Sequence, residues 1–247
     1  MPVLTLLGVT AAIIGAFVGS GALGGTPIAE AAGGALSADA TPVAPAGAAF
    51  SIWSVIYLGL LAYALWQLTP TARGSSRQRT LRPWALASVL LNAAWIWAIQ
   101  LDAVAVSVSV IVVLLAVLIR AMFVLGAPRA GGVIELTVVD GTFGLYLGWV
   151  TVATLANAYA WLVASGVEVV STIAAGIVGV IAAMVVGIAT ALLSRGRVAP
   201  AVATSWGLAW IAVGRTEGAF ASPALAWTAA IGTLAVLLVA LLNVLRT

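Results

Sequence analysis

Aromatic rings and amide groups recur at helical spacing in three apolar stretches of this 247-residue chain. In the stretch Ala44–Gln67, Trp53 and Tyr57 are four residues apart and therefore share one face of a helix. A second stretch places Asn92 three residues before Trp95. A third stretch carries a further set on one helical face: Tyr146, Trp149 and Asn157. Ring faces stack on flat apolar molecules and amides orient them, so the pattern predicts a pocket for a flat hydrophobic ligand.

The same side chains also have a purely structural interpretation. Tryptophan and tyrosine are enriched where a membrane meets water, and they fill helix interfaces. An amide in hydrocarbon costs several kcal/mol unless it finds a partner, so Asn92 and Asn157 can serve as links between helices. The repetition of rings with amides on successive stretches favours the pocket.

The composition indicates an integral membrane protein. Hydrophobic residues make up 64% of the chain and charged residues 7%, against about 25% charged residues in soluble domains. The absence of His and Cys excludes ordinary zinc, copper and haem ligation, and the absence of Lys excludes a Schiff base. The net charge of +3 comes from arginines that are too sparse for nucleic-acid binding. The expected partners are the lipid bilayer and a small hydrophobic ligand, with no covalent cofactor.

A helix needs roughly 20 apolar residues to cross a bilayer, and eight segments approach or reach that length. These segments are Leu4–Leu23, Ala48–Leu68, Pro83–Leu101, Ala103–Leu125, Val133–Asn157, Val169–Ser194, Ala199–Val213 and Pro223–Leu245. The sequence therefore predicts an all-α integral membrane protein with eight transmembrane helices. All prolines fall in connections or at helix starts, so uninterrupted helices are expected, with Pro83 at the start of the third.

The placement of charge supports eight spans. Nine of the ten arginines then fall on one side: Arg73, Arg77, Arg79, Arg82, Arg120, Arg129, Arg195, Arg197 and Arg246. The opposite side is acidic, with Arg215 as its one arginine. Basic connections stay in the cytoplasm, so we expect an inner-membrane protein with both termini cytoplasmic. In this topology Trp53, Trp95 and Trp149 lie in the outer half, beneath a long loop, Gly25–Gly47, that is expected to cap the pocket.

The three aromatic stretches resemble motifs of the TspO/MBR family, the translocator proteins or tryptophan-rich sensory proteins. The second span of that family has a proline, a tryptophan eight residues later and a tyrosine four residues after that, as do Pro45, Trp53 and Tyr57. Its third-span pattern Leu-Asn-x-x-Trp matches Leu91, Asn92 and Trp95. Its fifth-span motif resembles Tyr146, Trp149 and Asn157. The chain departs from the family where Gly-Pro is replaced by Phe50-Ser51.

The resemblance covers about residues 1–161 and implies a five-helix unit there, followed by a three-helix C-terminal extension at 162–247. It implies a bound porphyrin, or another tetrapyrrole-like or lipidic molecule. The residues expected to hold this ligand are Trp53, Tyr57, Asn92, Trp95, Tyr146, Trp149 and Asn157.

Binding or sensing is favoured over catalysis, and three alternatives stay open. The resemblance allows a light-dependent porphyrin-degrading enzyme that uses Trp53 and Trp149 as an indole pair. A transporter would use Asp140 as a proton site. A structural subunit of a larger membrane complex would account for the additional helices. Gly15, Gly19 and Gly21 of the first span include a small-x-x-x-small pair, which permits a homodimer.

Other residues are assigned structural roles. Asp140 points away from Trp149 on its helix, so we expect it to contact the last three spans and not the pocket. Glu135 is expected to pair with Arg129 or Arg120. Trp206 and Trp210, four residues apart, are expected to pack the C-terminal helices.

Overall fold

A computed structural model describes residues 2–19, 26–126 and 132–246 of the chain. Across these ranges the regular structure is helical throughout, which confirms the all-α class. The long helices are α1 (Pro2–Gly19), α2 (Ile52–Trp66), α3 (Ser76–Gln100), α4 (Val104–Leu125), α5 (Thr142–Ala164), α6 (Ile173–Leu193), α7 (Ala199–Gly214) and α8 (Pro223–Val244). A 3₁₀ turn, Gly47–Ser51, leads into α2, and a π-helical segment, Leu136–Gly141, leads into α5.

Several of these helices are built to cross a bilayer. Five helical segments are long and apolar enough: Gly47–Trp66, Val104–Leu125, Val133–Ala164, Ile173–Leu193 and Pro223–Val244. The apolar parts of α1 and α7 are shorter, and α3 carries arginines in its first turns and the polar Asn92 in its second half. The chain is therefore a multi-pass membrane protein. The count of eight spans and the cytoplasmic position of the termini stay predictions.

Helix α5 is central to the bundle, with α2, α4, α6 and α7 packed around it. Its contact with α7 is close because Gly144 and Gly148 face that helix, and a Cβ on Gly148 would collide with the carbonyl oxygen of Pro200. Buried apolar side chains form one cluster mainly within α1–α5 and a second mainly within α6–α8. The two clusters meet at this contact, where Ala203 of α7 joins the first and Val152 of α5 joins the second. The division into two units at residues 161 and 162 stays a prediction.

Helix α3 begins at Ser76, so the expected start at Pro83 is wrong. The Ser75 Oγ accepts a hydrogen bond from the Gln78 backbone N–H at 3.3 Å and so caps the earlier turn. Pro83 lies inside the helix, where its ring removes one backbone hydrogen bond. That ring is exposed, while Gln78 and Arg82 are buried in hydrogen bonds that hold the first turns in place.

The helix that leads into α5 is continuous from Val133 but is widened before Thr142. The π-helical segment Leu136–Gly141 forms the wide turn, and Asp140 lies within it. Such segments occur mostly as single wide turns, frequently at functional sites.

The glycines proposed for dimerisation lie on α1 and beyond it. Gly15 faces Trp97 of α3, since a Cβ at Gly15 would lie 4.0 Å from the indole nitrogen. Gly21, the third glycine of that stretch, lies outside the described residues. A homodimer stays a prediction.

Candidate functional site

The first two site residues stack on each other along α2. The rings of Trp53 and Tyr57 have centroids 5.4 Å apart and planes inclined by 18°. Both side chains are half-buried. The 3₁₀ turn before α2 places Phe50 one turn earlier, where it meets the Trp149 ring edge-on at 5.8 Å.

Trp53 is the ring around which the other aromatics gather. Its centroid lies 6.4 Å from that of Trp95 on α3. On α5, Tyr146 and Trp149 meet it edge-on, at 5.8 Å and 6.2 Å. Edge-on and offset pairs are the favoured arrangements of aromatic rings and contribute about 0.5–1.5 kcal/mol each beyond the area they bury. In each of α2, α3 and α5 the site residues were predicted to lie on one helical face. The structure brings the aromatic rings of these three faces together.

The two amides link these rings to neighbouring helices. Asn92 Nδ2 donates to the Tyr57 hydroxyl at 2.8 Å. Asn157 accepts from Trp95 Nε1 at 2.7 Å and donates through Nδ2 to Ser107 Oγ of α4 at 2.8 Å. Asn157 is thus hydrogen-bonded on both sides, as the structural interpretation of an intramembrane amide requires. Ser107 was not predicted as part of the site, because its position in the sequence follows no periodic pattern with the other site residues.

Three buried polar atoms around the site have no hydrogen-bond partner among the described residues: Trp149 Nε1, Asn92 Oδ1 and Thr41 Oγ1. Burying a polar group without a partner costs about 1–3 kcal/mol. Native structures tolerate few such atoms, and each one needs an explanation. Trp149 and Thr41 both line the same cavity, so a polar atom of a ligand there can satisfy the indole N–H and the hydroxyl.

Two cavities adjoin the aromatic rings and share one wall made of Phe50, Trp53 and Trp95. The deeper one holds only about 20 Å³ and is lined also by Thr41 and Trp149. The other is a groove of about 310 Å³ between residues 27–29 and α2, where Tyr57 is exposed to it. Four of the seven predicted site residues therefore line a cavity: Trp53, Tyr57, Trp95 and Trp149. Tyr146, Asn92 and Asn157 lie behind them and hold them in place.

Residues 26–46, here called the cover segment, lie over the deeper cavity. Leu36, Thr41 and Ala44 of this segment are buried and line that cavity. The segment is pinned by Arg215, which follows α7 and donates to the carbonyl oxygens of Thr41 at 2.9 Å and Ala38 at 2.6 Å. Burial lowers the pKa of the Arg215 guanidinium, and Asp39 opposes that shift. Arg215, the one arginine on the acidic side of the predicted topology, therefore holds the cover segment in place.

Trp206 and Trp210 also reach the N-terminal half. Their rings contact each other edge-on at 5.6 Å, consistent with a shared face of α7. Trp206 Nε1 donates to the Ala49 carbonyl at 2.9 Å, and the Trp210 carbonyl accepts from the Ala46 backbone N–H at 3.0 Å. They do not simply pack the C-terminal helices, as expected, but tie α7 to the entry of α2.

A second group of polar residues lies far from the rings, at the start of α3. Asp140 accepts hydrogen bonds from Arg197 at 2.7 Å and from Arg77 at 2.8 Å. Asp140 thus contacts the C-terminal part of the chain, as expected, but at the connection between α6 and α7, where Arg197 lies, and not on one of the last three helices. The contact with Arg77 was not foreseen. Arg77 and Trp95 are eighteen residues apart on α3, a rise of about 27 Å.

Glu135 pairs with Arg77 at 2.6 Å, so its expected pairing with Arg120 is wrong. The other expected partner, Arg129, lies outside the described residues. The earlier start of α3 explains the difference, because it places Arg77 on a helix directed at the π-helical segment. Gln78 Nε2 adds a hydrogen bond to Glu135 at 2.8 Å.

Comparison with known proteins adds one finding. A family described as TSPO-like protein has a model that matches residues 5–242, from α1 into the last helix. No curated protein and no solved structure compared with the chain matches it.

Proposed function

Because this chain belongs to the TSPO-like protein family, we propose that it is a membrane-embedded binder or sensor of a flat hydrophobic ligand of the porphyrin or tetrapyrrole class. The observation that carries the proposal is the wall of Phe50, Trp53 and Trp95, which separates a groove of about 310 Å³ from a deeper cavity. Ligand pockets typically have volumes of about 300–1,000 Å³, so the groove is at the lower end of that range.

Trp53 and Trp149 have complementary roles in this proposal. The half-buried Trp53 stacks on Tyr57 and presents an indole to the groove, so a flat ligand in the groove lies against that ring. A rotation of Trp53 would join the groove to the deeper cavity, where Trp149 Nε1 has no acceptor among the described residues. A carboxylate of the ligand, or a ring nitrogen that carries no hydrogen, would accept that hydrogen bond. Asn92 and Asn157 position the rings through Tyr57 and Trp95.

Titration of the purified protein in lipid nanodiscs with a metal-free porphyrin tests the proposal. The visible absorption band of the porphyrin and the quenching of tryptophan fluorescence report binding. Trp53→Ala or Trp149→Ala should each weaken binding by about tenfold, since the loss of a stacking partner approaches ~1.4 kcal/mol, which is one decade in affinity. Trp227→Ala is the matched control, because Trp227 is 69% exposed at the start of α8. Equal affinity of all four proteins would mean that these rings only fill the core.

A light-dependent porphyrin-degrading activity is the second candidate. The contact that favours it is the edge-on pair of Trp53 and Trp149 at 6.2 Å, with both rings on the deeper cavity. Illumination of the porphyrin complex should then bleach the absorption band in the wild type faster than in Trp53→Phe, which keeps a stacking ring. Bleaching at the rate of free porphyrin in both proteins would leave binding as the function.

A further inference from the structure

A crevice opens between α4, α5 and α6 at the end of the bundle that carries Asp140. Its volume is about 280 Å³, and Gly126 and Arg195 connect it to a shallower cavity of about 570 Å³. One half of the crevice is apolar and is lined by Ile119, Met122, Phe123, Leu147, Leu193 and Pro200. The walls of the two cavities also carry four guanidinium groups: Arg77, Arg120, Arg195 and Arg197.

Two of these guanidinium groups are already neutralised. Arg77 contacts both Glu135 and Asp140, and Arg197 contacts Asp140. Arg120 and Arg195 have no carboxylate within ion-pair distance in the part of the chain that the structure describes. Among the described residues, four guanidinium groups line the two cavities and two carboxylates pair with them, so the excess positive charge favours an anion here.

Local structure holds Arg120 in the wall of the shallower cavity and Arg195 in the walls of both cavities. The Arg120 guanidinium on α4 lies 5.7 Å from the centroid of the Trp84 ring of α3, in cation–π contact. Arg195 and Gly196 form the tight turn after α6, with φ of 56° and 84°. A positive φ is uncommon for a residue with a side chain, and here it places an exposed arginine at the rim.

The apolar half of the crevice also has exposed side chains. Phe123 is 66% exposed and Leu193 is 75% exposed, so both contribute apolar surface beside the cationic rim. A soluble anion would use the rim and leave that surface uncovered. A zwitterionic lipid would cover the surface but bring its own cation beside the guanidinium groups.

We propose that this crevice is a binding site for an anionic phospholipid, whose phosphate lies between Arg120 and Arg195 and whose acyl chain packs against Phe123, Met122 and Leu193. Arginine-lined pockets between transmembrane helices suit anionic headgroups, because the guanidinium fork donates paired hydrogen bonds to phosphate oxygens. The site is independent of the aromatic residues and of the ligand proposed for them.

Native mass spectrometry of the intact protein, titrated in detergent with phosphatidylglycerol or phosphatidylcholine, tests the proposal. The variant is Arg120→Gln with Arg195→Gln. Its matched control is Arg73→Gln with Arg79→Gln, which removes the same charge from two exposed arginines outside both cavities. Phosphatidylglycerol should bind the wild type and the control alike, and the variant about thirtyfold more weakly. The wild type should prefer phosphatidylglycerol to phosphatidylcholine, and Phe123→Ser should weaken phosphatidylglycerol binding while leaving the arginines in place.

Three outcomes would overturn the proposal. Equal loss in the variant and the control would mean that only net charge matters. Equal binding of both lipids by the wild type would mean that the headgroup charge is not recognised. Displacement of phosphatidylglycerol by millimolar inorganic phosphate, with Phe123→Ser unchanged, would identify a site for a soluble anion.

Discussion

The two ends of the bundle bury polar groups in different ways. At one end, here called the arginine end, charged hydrogen bonds of 2.6–2.8 Å join Arg77 to Glu135 and Asp140, and Arg197 to Asp140. The one buried nitrogen of this group without a directed hydrogen bond in the described part of the chain, Arg197 Nη2, still lies 2.6 Å from an Asp140 oxygen. At the aromatic end, some polar atoms are paired and others, such as Trp149 Nε1, have no partner among the described residues. The comparison separates groups that hold the protein together from groups that are available to a ligand.

The pairing explains why an intramembrane carboxylate need not be functional. Asp140 is 3% exposed and lies between two guanidinium groups, so its charge is compensated within the fold. The residues that line the two cavities of the aromatic end carry no formal charge, and rings border both cavities.

Replacement of Asp140 by Asn should have the largest effect. The change leaves the buried Arg197 without its counter-charge and removes one of the two carboxylates that Arg77 contacts. Breaking a buried ion pair from one side costs about 3–5 kcal/mol. The thermal unfolding midpoint in nanodiscs should fall by many degrees, whereas Asp102→Asn, at an exposed turn, should leave it unchanged. Equal midpoints would show that the arginines are satisfied in another way.

Replacement of Arg215 by Gln should release the cover segment. Hydrogen bonds from a charged donor contribute about 1.5–3 kcal/mol each, and the shorter, neutral side chain cannot reproduce both contacts with Thr41 and Ala38. Amide hydrogen exchange should accelerate at residues 38–46 and stay slow in α5. Arg246→Gln, an exposed arginine after α8, is the control. Unchanged exchange at residues 38–46 would show that apolar burial alone holds the segment.

Replacement of Asn157 by Leu should destabilise the protein by about 1–3 kcal/mol, because Trp95 Nε1 and Ser107 Oγ would both lose a partner. Ser107→Ala alone should cost less, and the two changes together should cost less than their sum, since they remove the same hydrogen bond. Porphyrin affinity should change little, because Asn157 lies behind the cavity walls. A loss of affinity as large as that of Trp53→Ala would make Asn157 a ligand contact.

The aromatic end could be predicted from the sequence because it depends on periodicity. Spacings of three and four residues fix which side chains share a helical face, and Trp53, Trp95 and Trp149 each lie on such a face. What the structure adds is the difference between lining and supporting residues. That difference depends on how the helices are rotated against each other, and no local spacing reports it.

The arginine end could be predicted only in part. The helical phase of Asp140 indicated a contact away from the rings, and Arg197 supplies it. The ion pair with Arg77 depends on a start of α3 seven residues before Pro83, and a proline is normally interpreted as the first residue of a helix.

Two residues at the cover segment differ in how far the sequence indicated their roles. Arg215 could be recognised, since a single arginine on an acidic side requires a structural explanation. No sequence pattern indicated that the hydroxyl of Thr41 would be buried beside the cavity.

Replacement of Trp149 by Phe should have the smallest effect on stability and a distinct effect on binding. Phe keeps a ring against Trp53 and Phe50, and it removes an N–H group that has no acceptor among the described residues. The smaller ring forfeits some packing, so stability should fall by only about 1 kcal/mol. Porphyrin affinity should fall by about twofold to tenfold, because a hydrogen bond contributes about 0.5–1.5 kcal/mol. Trp95→Phe is the contrasting variant, since the Trp95 N–H is bonded to Asn157 and its loss leaves the amide oxygen unpaired. The two variants should therefore rank in opposite order, with Trp149→Phe weaker in binding and Trp95→Phe weaker in stability. The same order in both measurements would mean that the unpartnered indole nitrogen has no part in holding a ligand.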